Sequence, residues 1–224
     1  MIELIDEGKM KKTILAFLFI SLNIVITGIG ASLGLKAAVG VGAWDALSQS
    51  VSTVIGMKIG TFSMLLNISC VVVQLLMLGK KFKPISFLQV FVAVLLGYVV
   101  NFMYYEAYKN IVIDSYFINL GLYIVSVLII VVGVANIMAM NFISFPLEGA
   151  CLVVSDRFKL NFGKVRQWVD IISIIIALSV AFIFKDTITV GVGTVIGTLL
   201  FGPLLNRVMN FAKPRLEKLG LVYN

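Results

Sequence analysis

The chain has 224 residues, 60% of them hydrophobic and only 13% charged, with 18 Lys and Arg against 11 Asp and Glu and no His. Its mean hydropathy of +1.07 excludes an ordinary soluble domain, in which about half the residues are apolar. The formal charge of +7 comes without a basic module or aromatic platform for nucleic acid, so the expected partner is the lipid bilayer, whose anionic headgroups attract a basic face.

Taken in order, a tail of residues 1–12 carrying Lys9, Lys11 and Lys12 precedes a first apolar run at 13–35. That run exceeds the apolar region of a signal peptide and lacks a clear small-residue cleavage site, so it is expected to remain as a helix. Further runs at 60–79, 85–106, 116–140, 163–184 and 187–209 are each long enough to cross ~30 Å of hydrocarbon at ~1.5 Å per residue. None has the short alternating segments of a β-barrel. The expected fold class is an all-α membrane protein with six transmembrane helices.

Two further stretches are too short to cross. Trp44 to Ile55, interrupted by Ser48, Gln49, Ser50, Ser52 and Thr53, and Pro146 to Asp156 would each give roughly 18 Å of helix. They are expected as re-entrant or interfacial half-helices. With six spans and the N-terminus inside, fourteen of the 18 basic residues fall on the inner side. Only Lys36, Lys58, Lys109 and Lys185 fall outside. Cytoplasmic loops are the ones enriched in Lys and Arg, so both termini are expected to be cytoplasmic.

A shift of 103 residues superposes Gly30 on Gly133, Asp45 on Glu148, Val51 on Val154, Gly60 on Gly163, Asn67 on Asp170, Ile68 on Ile171 and Leu75 on Leu178. A further slip of two places Gly97 on Gly202 and Asn101 on Asn206. The order of span, broken acidic half-helix, Gly-started span and Asn-ended span therefore recurs. Three crossings per unit make the second unit inverted, giving two inverted three-helix repeats at 13–110 and 115–212, with a cytoplasmic tail at 213–224. Many secondary transporters share this plan.

The segment Gly40-Val41-Gly42-Ala43-Trp44-Asp45-Ala46-Leu47, followed by Gly56-Met57-Lys58-Ile59-Gly60-Thr61-Phe62-Ser63 and an apolar helix containing Asn67, resembles the YczE/YyaS/YitT-type bacterial integral membrane proteins. The resemblance covers most of the first unit and, more loosely, the second. Members usually carry Pro where this chain has Ala43, and the repeat partner of Ala43 is Pro146. The resemblance implies a multi-pass protein of the bacterial plasma membrane, in a family sometimes grouped with exporters, and it transfers no catalytic residue.

Carboxylates in hydrocarbon are expensive and normally face a bundle interior or aqueous cavity. Asp45 follows a glycine-containing break and Glu148 follows Pro146, which suits the first position of a helix. Both acids then sit in a first turn, where they offset the positive end of the helix dipole. They could also bind a cation or shuttle protons. Asn67 and Asp170 lie seven residues past the glycines that open their spans, roughly 10 Å deep from opposite faces. Arg166 stands four residues before Asp170 and can pair with it. Trp44 suits an interfacial belt or a cavity wall beside Asp45, and Trp168 and the tyrosines around 104–116 suit the belt. Asn101 and Asn206 are expected to hold helices together by hydrogen bonds.

Glycines 28, 30, 34, 191, 193 and 197 form G-x-G strings, but no strand precedes them, so they predict close helix packing. That packing permits a homodimer without requiring one. Gly202-Pro203 predicts a kink in the last span. Cys70 and Cys151 lack metal-ligand spacing and are expected as buried thiols, and without His or a phosphate-binding loop neither a catalytic residue, a metal nor a cofactor is expected. The expected function is an ion-gradient-coupled secondary transporter or exporter of an unknown small solute, using Asp45, Glu148, Asp170 and Asn67. The alternative is a non-catalytic accessory or substrate-capture subunit of another membrane complex, in which the acids serve as caps.

Overall fold

A computed structural model describes residues 7–223, without the side chains of residues 7–9 and 11. Residues 1–6 of the expected N-terminal tail, and Asn224, lie outside the described residues. So do the side chains of Lys9 and Lys11. Among the described residues there are eight α-helices and no strands: α1 (Glu7–Ala37), α2 (Ala43–Val54), α3 (Ile59–Leu78), α4 (Leu88–Phe102), α5 (Tyr116–Ala139), α6 (Pro146–Phe158), α7 (Phe162–Phe184) and α8 (Val192–Lys218). Six helical stretches are long and apolar enough to span a membrane, and they match the six runs read from the sequence. The two short helices, α2 and α6, coincide with the expected half-helices.

The boundaries have local causes. α1 begins at Glu7, within the stretch assigned to the tail, and α8 continues to Lys218, well into the expected C-terminal tail. α4 is entered through a short 3-10 turn at Pro84–Phe87 and ends in a π turn at Met103–Ala107. Asn161 caps α7 by accepting a hydrogen bond from the Lys164 N–H at 3.3 Å. α8 starts later than its apolar run predicts because residues 187–191 stay extended and bond elsewhere. The Val41 N–H donates to the Thr189 carbonyl at 3.3 Å, the Gly193 N–H donates to the Val39 carbonyl at 2.8 Å, and the Ser50 and Thr189 hydroxyls meet at 2.7 Å. Gly40 adopts φ +95° against the Gly191 backbone, a conformation and a closeness that glycine alone supplies easily. The last helix runs through both Pro203, where the kink is expected, and Pro214.

The long helices expose Leu, Ile, Val and Phe over much of their surface, including Leu76, Phe117, Phe182 and Ile183. Such a surface is stable only where the surrounding solvent is apolar. The interior is stitched by small and polar residues, as expected where apolar burial provides no drive between helices. α1 crosses α5 closely at Gly30 and Gly133, where the Asn136 amide donates to Asn23 Oδ1 at 2.8 Å. α1 also packs on α4, and α5 on α8. The half-helices are held crosswise, α2 against α7 and α6 against α3. α3 lies along much of α4, whereas α7 touches α8 at few residues.

Candidate functional site

Asp45 and Glu148 occupy the same place in their half-helices. Gly42 and Phe145 precede α2 and α6, so each acid is the third residue of its helix, and neither helix has a side-chain cap. The carboxylates thus supply the negative charge that the helix N-terminus favours. Pro146, at the first position of α6, loses no hydrogen bond there.

Both helix starts reach one cavity of about 140 Å³. Its wall includes Trp44 and Asp45 from α2, Ser63 and Asn67 from α3, Glu148 from α6, and Arg166 and Asp170 from α7. Tyr123 and Ser126 of α5 and Gly197, Thr198 and Phe201 of α8 complete it. All six residues singled out in the sequence as candidate ligands therefore line a single space. Phe145, Leu96, Ile130 and Val134 make much of the remaining wall apolar.

The charges are not evenly answered. The Arg166 guanidinium donates to Asp170 Oδ1 four residues along the same face, and its Nε lies 3.6 Å from Glu148 Oε1. The three side chains are 19%, 15% and 8% exposed, so this triad is largely withdrawn from solvent. Its cation also sits 6.0 Å from the centre of the Phe201 ring on α8. Asp45 has no hydrogen bond or ion pair among the described residues. The neighbouring Trp44 Nε1 is buried with no partner. Asn67 turns its amide back to the Ser63 carbonyl at 2.9 Å.

The two asparagines at the helix ends lie away from the cavity and differ from each other. Asn101 ties α4 to α3: its Oδ1 accepts from the Gly60 N–H at 2.9 Å and its amide donates to Thr61 Oγ1 at 2.9 Å. Gly60 and Gly97 meet at the same joint, where a methyl group on either would overlap the other's carbonyl oxygen. Asn206 is exposed and makes no such bond, and around Gly202 a methyl group would meet nothing within 4 Å.

The model of a family of unknown function, DUF6198, matches residues 12–210. This chain belongs to the DUF6198 family. The match takes in both half-helices and every cavity residue named above. The DUF6198 chain is also 25% identical over 193 residues to the uncharacterized protein YyaS of Bacillus subtilis (strain 168), covering 86% of this chain and 92% of that one. That similarity agrees with the YczE/YyaS-type resemblance carried by residues 40–67. No solved structure matches.

Sequence reasoning left several polar residues of this DUF6198 chain unassigned. Tyr123 is 2% exposed and stands against Gly197, where a side chain would collide with its hydroxyl. A tyrosine two turns inside a span, past the interfacial belt, was the available signal. Gln74 and Gln89 bond each other at 2.7 and 3.1 Å, and Gln74 also donates to the Pro146 carbonyl at 3.0 Å. Two amides in apolar runs marked that contact, which fixes α6 against α3 and α4. Cys70 and Cys151 are buried free thiols packed in one cluster with Leu147 and Val165.

Proposed function

We propose that the protein is an ion-gradient-coupled secondary transporter of a small solute, built from two inverted repeats, with its site in the cavity between them. The observation that carries this reading is the meeting of Asp45 and Glu148 in one cavity. The two acids come from half-helices belonging to different halves of the chain. A carboxylate kept inside an apolar bundle is costly unless it exchanges protons or cations, or is paired.

The packing pattern supports the repeat. Exchanging the first four helices with the last four turns the α2–α7 contact into α6–α3 and the α1–α4 contact into α5–α8, and both members of each pair occur. One pair breaks the rule: α3 lies against α4, but its counterpart α7 stands nearly clear of α8. In the proposed orientation the closed α3–α4 joint is at the outer face and the open α7–α8 seam at the inner face. The molecule then rests with its cavity sealed outward and open inward. Alternating access requires two such arrangements of related halves.

The test is a gradient-driven uptake screen in proteoliposomes with proton or sodium gradients. Flux of a solute that collapses in Asp45→Asn and in Glu148→Gln is expected. A protein that moves no solute, or variants that keep full coupled flux, would overturn the proposal. The Arg166 triad is also what a passive scaffold would need to bury two acids. Co-purification of a stoichiometric partner, with both neutralising substitutions tolerated, would favour the accessory-subunit reading.

A further inference from the structure

We infer that the cavity is built for a small organic cation, an ammonium group on a compact apolar or aromatic body, which Asp45 receives. The inference rests on the carrier reading for its meaning in the cell. Its argument is local.

The wall of the cavity carries three carboxylates, Asp45, Glu148 and Asp170, against one guanidinium, Arg166. The formal excess is two negative charges. Arg166 is already committed to Glu148 and Asp170. Sliding one repeat onto the other explains why Asp45 is left over. The shift that places Asp45 on Glu148 also places Ser63 on Arg166 and Asn67 on Asp170. The second half thus carries its own counter-cation, and the first half has a hydroxyl and an amide at the same positions. The Asn67 amide is turned away to the Ser63 carbonyl, so it does not answer the acid. Asp45 is half-buried at the cavity, and a carboxylate inside the bundle without a protein partner calls for one from outside.

The remaining wall selects the kind of cation. Among the described residues no three acidic, His or Cys side chains are grouped to hold a metal ion, whereas hard inorganic cations require a shell of oxygen ligands. Aromatic side chains from four helices or loops do line the space: Trp44, Tyr123, Phe145 and Phe201. Aromatic faces attract organic ammonium groups and accept their apolar bodies. At about 140 Å³, with each water taking ~30 Å³ in the liquid, the space holds roughly five waters. That room suits a single-ring arylalkylammonium rather than a large drug.

Binding of benzyltrimethylammonium to the full chain in lipid nanodiscs tests this, read from Trp44 emission in a Trp168→Phe background. Trp168 is 64% exposed and outside the cavity, so its replacement leaves the site intact. Saturable quenching is expected, weakened at least ~10-fold by Asp45→Asn and largely retained in Asp45→Glu. Benzenesulfonate should give no saturable change. Equal binding by wild type and Asp45→Asn, tighter binding of the sulfonate, or no saturable response to the ammonium would each overturn the inference. Should Asp45→Asn fail to fold, the comparison of ammonium with sulfonate on the wild-type cavity still decides it. Saturable cation binding in a protein that drives no flux would overturn the carrier reading alone. Coupled flux of an anion, with no ammonium binding, would overturn the cation site alone.

Discussion

Arg166 is the residue on which the buried charges turn. One guanidinium serves both Glu148 and Asp170 within the bundle, and removing one member of such a group is far more damaging than removing the group. Arg166→Gln is therefore expected to destabilise the detergent-solubilised protein by ~3–5 kcal/mol, seen as a large drop in thermal unfolding temperature. Adding Glu148→Gln and Asp170→Asn to Arg166→Gln should recover part of that loss. A triple variant no more stable than Arg166→Gln would show that the pairing is not what holds the site. At this scale the sequence was informative because ionised groups are rare in apolar runs, so Asp45, Glu148, Arg166 and Asp170 stood out by their cost alone. Tyr123, Ser63, Ser126 and Thr198 did not, since a hydroxyl can satisfy itself on its own helix. Ser126 does so, donating to the Tyr123 carbonyl at 2.7 Å.

Among the elements, the α3–α4 and α7–α8 pairs carry the contrast that the proposed function needs. The α3–α4 joint is locked by the Gly60–Gly97 contact and by Asn101, which bonds Gly60 and Thr61. Lys164 and Asn206 hold the corresponding places on α7 and α8. In a background with Cys70 and Cys151 replaced by Ala, Thr61→Cys with Asn101→Cys is expected to accept a short thiol cross-linker rapidly. Lys164→Cys with Asn206→Cys should react slowly at rest and faster under a gradient that drives the opposite state. Equal rates at both joints would contradict two alternating arrangements. Helix existence and type were readable from apolar length, and the half-helices from their shortness. The start of α8 was not readable, because hydropathy does not see the Thr189 carbonyl and the Gly193 N–H committed to Val41 and Val39. Nor did the matched positions of Asn101 and Asn206 reveal that, among the described residues, only the first is bonded, since similar sequence spacing does not fix how each helix pair packs.

For the whole molecule, six crossings would put both ends on one side, and the distribution of Lys and Arg is the ground for proposing that this side is the cytoplasm. Cysteines introduced at Lys213 and at Lys109 in the same thiol-free background should label oppositely in intact bacterial cells. An impermeant maleimide is expected to reach position 109 from outside and position 213 only after permeabilisation. The reverse pattern would invert the orientation, and with it the assignment of the sealed and open faces.

α7 and α8 touch at few residues along their seam. In the proposed carrier, a seam that opened there would border the fatty-acyl layer as well as water and would give the cavity a side entrance. Amphiphilic cations accumulate in a leaflet rich in anionic headgroups. Through that entrance Asp45 would meet them at their concentration in the membrane, far above that in the surrounding water.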